Sequence, residues 1–564
     1  MRPPMNRKIF NAFLMGMGIA MLLLFFIVKN LGGDSGNVSW RLSLTRFHLV
    51  HQFAMPYFSP AHCGGFHLAA DAQDLIFTLY TLVASFVPNV DWAVKITNLL
   101  ASLVLGTGIF VFLGYLGILN LTARIFTAIL VVSSGYWVCH MAQGGHAWAH
   151  GFAYLPWVLI CMEEILRLEI RFDRRYFIFF LSLTGLFFLL INSGYYWLQV
   201  AAPVILLRLM IELVLSGRER KIQAFKTGTI LLAVFAALTL SFPRLAGVYE
   251  FQLKKFPRMG GEVNPFQIIG GQKWFDLTFR SYFDGSIISG NKTDKFMGDP
   301  WDYSNFIGLC ALLPLVWGLW NCRPWVKSRL FICLALAAMY QLALTQGDPV
   351  LCTLRFFVPL FKQITWYARG SAIVLLFLAA LIAIGYESLI KQSKKIPFYI
   401  IAVLMTANLI EIVYVQATQI NFKMDPPLVD LMHDINPPPY PADKPWGQCL
   451  LGYVFGYDHE NPAQLQAKLD PGASVYDEPR PGFYNMHDVR VLASAQADGG
   501  YYLKEKWPLW PRKDAKALQE FIHYKQVVAL PLWLSIGNWV SLFLWFIFFL
   551  CWGMIWGMKR PRRI

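Results

Sequence analysis

Residues 370–386 read GSAIVLLFLAALIAIGY, an apolar run without a single Asp, Glu, Lys, Arg or His. A helix of about 20 such residues is long enough to cross the hydrocarbon core of a bilayer. Similar runs recur along the whole chain, and together they decide the fold class. We predict spans at residues 9–31, 92–118, 123–139, 148–166, 176–192, 197–215, 227–246, 304–321, 328–346, 370–386, 397–416 and 531–557.

The composition agrees with a helical membrane protein. Of the 564 residues, 56% are hydrophobic and only 15% are charged, and the mean hydropathy is +0.45. Soluble domains are about a quarter charged and under half apolar, so this excess of apolar side chains needs lipid as its solvent. The same composition excludes intrinsic disorder, a coiled coil and a collagen-like chain.

The basic residues indicate the topology. The formal net charge of +15 would suggest nucleic-acid binding in a soluble protein. Here the lysines and arginines lie in short clusters between spans, which is typical of cytoplasmic loops. If residues 2–8 are inside, one alternation places every compact basic cluster on that side, so we predict cytoplasmic termini and no nucleic-acid partner. The other clusters are residues 167–175, 218–226, 323–329, 391–395 and 559–563.

The outward segments are long where the cytoplasmic ones are short. In the outward loop 32–91, the amphipathic stretch 39–53 predicts a helix that lies in the membrane interface with its basic side toward the head groups. The apolar stretch 74–87 predicts a second interfacial or re-entrant helix. A second outward loop spans 248–303. We predict a transmembrane module over 1–418, a small extracytoplasmic β or α/β domain over 419–530, and a final span with a basic tail over 531–564.

Asp34 follows the first predicted span in Gly32-Gly-Asp-Ser-Gly-Asn. A carboxylate at the membrane surface, flanked by glycines that allow close approach of a substrate, suits a general base acting on a hydroxyl group. The alternative is an ordinary turn residue at the end of a helix.

His146 and His150 lie at a short outward turn that leads into the fourth span. Four residues apart, they share one face of a helix and would suit a metal or a phosphate. The alternative is interfacial anchoring beside Trp148.

Several outward residues suit a lipid-phosphate substrate. Arg369 begins the tenth span from outside, and a guanidinium there can bind two phosphate oxygens at once. Other outward arginines are Arg244, Arg258 and Arg280, for which contact with lipid head groups is the alternative. Asp276, Asp284, Asp294, Asp299 and Asp302 crowd the second outward loop, where a few would suit a divalent cation such as Mg²⁺ or Mn²⁺. Aromatic residues for an interfacial belt or a sugar-stacking site are Tyr195, Tyr196, Trp197, Trp366 and Tyr367.

Together these features resemble the GT-C superfamily of polyprenol-dependent glycosyltransferases. Three short patterns narrow the resemblance. One is the loop from Met55-Pro-Tyr-Phe-Ser-Pro through Cys63-Gly-Gly-Phe-His to Asp71-Ala-Gln-Asp. The second joins Ser133-Ser-Gly, Gly145-His and Pro156-Trp. The third joins Phe306-Ile-Gly-Leu, Pro359-Leu-Phe to Ala368-Arg, and Ile384-Gly-Tyr. All three resemble patterns of the bacterial YfhO-like membrane protein family.

The resemblance implies roles for particular residues. Asp34 takes the place of the acidic base, Gly145-His146 that of the family's Gly-His pair, and Arg369 that of its arginine before the late span. We further expect Arg369, helped by Arg280 or His146, to bind the donor phosphate. Substrate-binding roles are expected for His67, Asp71, His150, Trp366 and Tyr367. The resemblance implies a bacterial inner-membrane enzyme that moves a sugar, with inversion, from a polyprenyl-phosphate donor to an extracytoplasmic glycan, lipid or envelope polymer.

Other function classes stay open. A glycan polymerase or ligase would use similar outward arginines. A lipid-linked sugar transporter or flippase predicts charges within spans, and Arg208 with Glu212 is the main such pair here. A scaffold without catalytic activity is a third possibility.

Overall fold

The computed structural model describes residues 42, 45, 75–87, 89–142, 147–169, 173–194, 200–249, 280–284, 305–345, 370–392, 398–419, 494–495, 501–502 and 532–557. Within these ranges the chain is mostly helical, as predicted. The helices are α1 (Leu79–Phe86), α2 (Val90–Leu116), α3 (Leu121–Val132), α4 (Gly135–Ala142), α5 (Ala147–Arg167), α6 (Arg174–Asn192), α7 (Ala201–Leu215), α8 (Arg220–Leu240), α9 (Phe242–Gly247), α10 (Leu312–Asn321), α11 (Arg329–Thr345), α12 (Ser371–Lys391), α13 (Phe398–Gln419) and α14 (Leu532–Gly557). Single helical turns occur at Gly217–Glu219, Ser281–Phe283, Leu309–Ala311 and Trp325–Lys327.

Five helices in the described part are long and apolar enough to cross a membrane, and a sixth span results if α3 and α4 are one bent crossing. The five are Trp92–Leu116, Arg174–Asn192, Arg220–Leu240, Ser371–Lys391 and Leu532–Ile555. Shorter apolar helices cover Leu309–Asn321, Arg329–Leu344 and Val403–Val415. The chain is therefore a membrane protein. The predicted first span, residues 9–31, lies outside the described residues.

Helix boundaries follow local capping signals. The Asn89 side chain accepts a hydrogen bond from the Trp92 N–H, and α2 ends where Gly117 takes a left-handed φ of 99°. Asn120 caps α3 and Asp173 caps α6 in the same way as Asn89. Such caps satisfy amide groups that a helix leaves without partners.

The predicted span 123–139 is two helices, α3 and α4, that meet at 44°. The break falls at Ser133-Ser134, whose hydroxyls hydrogen-bond back to carbonyls of α3. The amide of Gly135 donates instead to Phe306 O at 2.6 Å. A long-range contact thus replaces a helical hydrogen bond, and this is why the periodicity of the sequence did not reveal the bend.

The centre of the bundle is α12. Of its most apolar 18 residues 78% are buried, against 11% for α14, so α12 is central and α14 peripheral. On α14 the large apolar side chains are mostly exposed, as expected of a helix in contact with lipid. Helix α10 lies against α12 through facing glycines: a Cβ on Gly318 would come within 1.9 Å of Leu381 O, and one on Gly385 within 1.8 Å of Pro314 O. Only glycine permits this backbone approach.

Four buried residues of non-helical backbone, 305–308, and the single turn Leu309–Ala311 precede α10, although the sequence predicted a continuous span from residue 304. Gly308 has a φ of 93°, and a Cβ there would meet the Asn408 side chain of α13 at 2.4 Å. The Glu411 carboxylate, also on α13, accepts from the amides of Leu309 (2.8 Å) and Cys310 (3.1 Å). A carboxylate from one helix thereby caps the beginning of another.

A buried charge cluster joins α5, α7 and α11 at their predicted cytoplasmic ends. Arg208 donates to Glu163 at 2.5 Å and to Glu212 at 2.7 Å, and all three side chains are at most 5% exposed. Arg329 of α11 also binds Glu212. Lys226 of α8 donates to Leu166 O at the end of α5. Each buried charge thus has an opposite partner or a helix-end carbonyl.

Of the predicted domain 419–530, the structure describes Gln419, which ends α13, and a short antiparallel pair. Ser494 pairs with Tyr502 and Ala495 with Tyr501. The rest of that segment lies outside the described residues.

Candidate functional site

Three polar residues meet where α12 begins, at an end predicted to face outward. Ser371 Oγ donates to Asn305 Oδ1 at 2.6 Å, and Asn305 Nδ2 donates to Ser281 Oγ at 3.3 Å. All three residues are buried. We call this set the Asn305 bridge.

Tyr282 strengthens the same junction. Its hydroxyl donates to Ser371 O at 3.3 Å, and its own carbonyl accepts from the Ile307 amide at 2.8 Å. The side chain is 1% exposed. The Asn305 bridge and Tyr282 together hold residues 280–284 against the start of α12.

Arg280, a predicted phosphate-binding residue, stands at the edge of this junction. Its Nε and Nη2 donate to Asp284 Oδ2 at 2.9 and 2.6 Å. The Arg280 side chain is 39% exposed and that of Asp284 is 33% exposed, so both are reachable from outside the bundle. Asp284 holds the guanidinium in position at the surface of the junction.

The Asn305 bridge joins the chain segments of two predicted phosphate-binding arginines. Arg280 immediately precedes Ser281, and Arg369 lies two residues before Ser371. The structure thus brings together Ser281 and Ser371, the described residues nearest in sequence to the two arginines. Arg369 itself lies outside the described residues. This juxtaposition joins positions about 90 residues apart, and no spacing in the sequence indicates it.

A second polar cluster lies at the beginning of α5. The ring of His150 stacks on Tyr80 of α1, with centroids 4.6 Å apart and 17° between planes. Tyr80 donates to Asn98 Oδ1 at 2.5 Å, and Asn98 Nδ2 donates to Met141 O at 3.1 Å. Trp137 lies on another side of His150, with centroids 6.4 Å apart.

Arg244 ties this second cluster to α6. Its Nη1 donates to Ile76 O at 2.8 Å and to Asn192 O at 2.6 Å, and the residue is 2% exposed. The carbonyl of Ile76 precedes Phe77, which has a φ of 60° and is therefore in a strained conformation for a residue with a side chain. Arg244 thus stabilises the strained turn that places α1 beside α5.

Most predicted site residues lie outside the described part of the chain. These are Asp34, His67, Asp71, His146, Trp366, Tyr367 and Arg369. Their roles, and the pairing of His146 with His150, stay predictions. Of the predicted site residues, the structure describes His150 and Arg280, which belong to the two clusters above.

Metal binding was predicted for the acidic residues of the second outward loop. Among these, the structure describes Asp284, whose carboxylate holds Arg280. In the described ranges no group of three His, Cys, Asp or Glu side chains could hold a metal ion. A divalent cation therefore stays a prediction for residues beyond those ranges.

Sequence reasoning did not single out Ser281, Asn305, Ser371 or Tyr80. Each is a common polar residue near the end of an apolar segment, and only its partners distinguish it. Arg244 was noted as an outward arginine, but its role in holding the turn at Phe77 was not predicted.

No protein-family model matches the sequence, and no curated protein matches it. Among solved structures, the chain is partly similar to the crystal structure of the Archaeoglobus fulgidus oligosaccharyltransferase in the apo form, with a TM-score of 0.47 and 12% sequence identity. The match covers 80% of this chain and 60% of the archaeal one, so this chain spans less than two thirds of that protein. A likeness at this level carries no conclusion about activity.

Proposed function

We propose that the protein is a membrane glycosyltransferase of the GT-C type, which moves a sugar from a polyprenyl-phosphate donor to an extracytoplasmic glycan, lipid or envelope polymer. The observation that carries this proposal is the Asn305 bridge, which links the segments of Arg280 and Arg369 at one end of the bundle. Arginines of two segments that meet at the lipid boundary suit a phosphate head group, because a guanidinium can bind two phosphate oxygens. The YfhO-like resemblance in the sequence points to the same substrate class.

The chemistry needs a base on the acceptor and positive charge on the leaving group. Asp34 would accept the proton of the acceptor hydroxyl as its oxygen bonds to the anomeric carbon. The bond from that carbon to the phosphate oxygen breaks, and the electron pair leaves with the lipid phosphate. Arg280, Arg369 and His146 would stabilise the charge that develops there. Attack opposite the leaving phosphate inverts the anomeric carbon.

The proposal includes about twelve spans, cytoplasmic termini and an extracytoplasmic site in a bacterial inner membrane. The polar contacts between helix ends are consistent with it. Arg244, Asn192 and Ser241 are linked at ends predicted to lie outside. Arg208, Glu163 and Arg329 belong to one cluster at ends predicted to lie inside. The division into 1–418, 419–530 and 531–564, with a small outward domain in the middle segment, belongs to the same proposal.

A lipid-linked sugar transporter is the second candidate. It is favoured by the buried cluster of Glu163, Arg208 and Glu212, because charges within membrane helices often mark a transport path. A glycan polymerase or ligase is the remaining enzymatic alternative and differs by the length of its product.

The test is sugar transfer by the purified full chain in proteoliposomes, with radiolabelled polyprenyl-phosphate sugars and a membrane extract as acceptor. We expect label to reach the acceptor with the wild type and not with Asp34→Asn or Arg369→Ala at equal expression. Normal transfer by Asp34→Asn would reject the proposed base. Lipid-linked sugar that crosses the bilayer without transfer would favour the transporter.

A further inference from the structure

Two buried side chains near the predicted outer ends of α5 and α6 have polar atoms without hydrogen-bond partners. His150 is 1% exposed, and neither its Nδ1 nor its Nε2 has a partner in the part of the chain that the structure describes. Asn192 is fully buried, and its Oδ1 also has no hydrogen-bond partner among the described residues. Leaving such groups unpaired is costly, and native proteins rarely do so without a reason.

The residues that follow them in sequence lie at one contact between α5 and α6. Gly151 follows His150 and Ser193 follows Asn192; a Cβ on Gly151 would lie 2.9 Å from Ser193 Oγ. Tyr80 stacks on the His150 ring and Trp137 lies beside it, so aromatic rings flank the imidazole. Arg244 fixes the Asn192 end because its guanidinium donates a hydrogen bond to the Asn192 carbonyl oxygen. The surroundings of both orphan groups are thus held by contacts to several helices.

The unpaired atoms, the two ring nitrogens of His150 and Oδ1 of Asn192, determine which ligand could pair with them. A neutral imidazole offers one donor and one acceptor. The Asn192 Nδ2 already donates to Phe188 O and Ser241 Oγ, each at 2.8 Å, which leaves its Oδ1 as an acceptor. Two acceptors and one donor match hydroxyl groups, which donate and accept. A phosphodiester has no donor and would leave both acceptors unpaired.

We propose that His150 and Asn192 form a carbohydrate subsite that binds sugar hydroxyls beside the aromatic rings of Tyr80 and Trp137. This inference rests on the proposed function and assigns to it a site separate from the arginines that would hold the phosphate. The hydroxyls come either from the donor sugar or from the acceptor glycan.

The test is thermal unfolding of the purified full chain in detergent, followed with and without ligand. The ligands are decaprenyl phosphate, the same lipid carrying glucose, mannose, galactose or N-acetylglucosamine, and the methyl glycosides of these sugars. The variants are His150→Phe, which keeps a ring but removes both nitrogens, and His150→Gln, which keeps a donor and an acceptor. His140→Phe is the matched control, because His140 is a buried histidine of α4 in edge contact with Tyr136.

We expect a sugar-bearing ligand to raise the wild-type melting temperature beyond the effect of decaprenyl phosphate. His150→Phe should lose this extra rise, with a dissociation constant weaker by about ten- to a hundredfold for two lost hydrogen bonds. His150→Gln should keep part of the sugar-dependent rise in melting temperature, and His140→Phe should keep all of it. If lipid-linked sugars alone raise the melting temperature in this way, the subsite binds the donor sugar. If methyl glycosides also raise it, the subsite binds the acceptor.

Other results would overturn the inference in distinguishable ways. Full retention of the sugar-dependent rise by His150→Phe, or equal effects of bare and sugar-bearing lipids on the wild type, would reject the subsite but leave phosphate binding. No response of the wild type to any ligand would reject the proposed function and the subsite with it. Without ligand, His150→Phe should melt at the wild-type temperature or above it, since it removes two unpaired groups; a lower melting temperature would reject the premise.

Discussion

Ser371 Oγ donates a hydrogen bond of 2.6 Å to Asn305 Oδ1, and through Asn305 the start of α12 is tied to the segment that carries Arg280. These two hydrogen bonds connect segments that lie about 90 residues apart in the sequence. They are the contacts on which the proposed phosphate site depends.

Asn305→Ala should separate these two segments. Removing the amide leaves the buried hydroxyls of Ser281 and Ser371 without this partner, at a cost of about 2 kcal/mol. We expect a lower melting temperature and at least a roughly tenfold loss of sugar transfer because the arginine segments lose their common support. Asn321→Ala is the control: Asn321 donates to Trp317 O within α10 and lies at its other end. Equal transfer by both variants would contradict a role for the bridge.

Gly385→Ala should disrupt the contact of α10 with α12. The added methyl group would meet Pro314 O, which is backbone and cannot move aside without shifting the helix. We expect a loss of about 3 kcal/mol and little monodisperse protein in size-exclusion chromatography. Gly228→Ala in α8 is the matched control, since no atom lies within 4 Å of its built Cβ. It should be neutral or stabilising by about 0.5–1 kcal/mol. A Gly385→Ala protein with wild-type behaviour would show that the helices are not in this contact.

Arg208→Met should leave Glu163 and Glu212 with one partner fewer each. Breaking a buried ion pair costs about 3–5 kcal/mol, because an uncompensated charge remains in an apolar interior. The double variant Arg208→Gln with Glu163→Gln should recover part of this loss in thermal unfolding. Arg175→Gln is the comparison: its pair with Glu164 is 62% exposed on the arginine side and should contribute about 0–1 kcal/mol. If Arg208→Met and Arg175→Gln lowered the free energy of unfolding by the same amount, the cluster around Arg208 would not be buried as described.

Arg244→Lys should loosen the turn at Phe77. A lysine keeps the charge but lacks the planar fork of the guanidinium, so the carbonyls of Ile76 and Asn192 would lose a shared donor. We expect faster amide hydrogen exchange in residues 75–87 and unchanged exchange in α12. Arg220→Lys, at the exposed start of α8, is the control and should leave amide hydrogen exchange unchanged both in residues 75–87 and in α12. Unaltered exchange in 75–87 would show that Arg244 does not hold this segment.

The sequence predicted the helices well where apolar runs are continuous. The predicted spans 92–118 and 531–557 correspond to α2 and α14 within two residues at each end. Predictions were less accurate where a distant residue replaces local hydrogen bonding. The bend between α3 and α4 depends on Phe306, and the late start of α10 depends on Gly308 and on Glu411 of α13.

The candidate site was predictable only in its titratable members. Arg280 stands out because an arginine at an outward membrane boundary is uncommon. His150 stands out because it lies four residues from His146. Ser281, Asn305 and Ser371 have no such signal, since a serine or an asparagine at a helix end is ordinary. Their importance arises from contacts between segments that only the folded chain brings together.

Phosphate binding by Arg280 is tested by the rate of sugar transfer from a labelled polyprenyl-phosphate sugar in proteoliposomes that contain wild type or Arg280→Gln. Arg323→Gln, an exposed arginine of a predicted cytoplasmic loop, serves as the matched control. We predict transfer by the wild type and the control, and a rate lower by about a hundredfold for folded Arg280→Gln, because one donor to the developing phosphate charge is lost. Wild-type transfer by Arg280→Gln would contradict phosphate binding by Arg280, and no transfer by the wild type from any donor sugar would contradict the proposed glycosyltransferase activity.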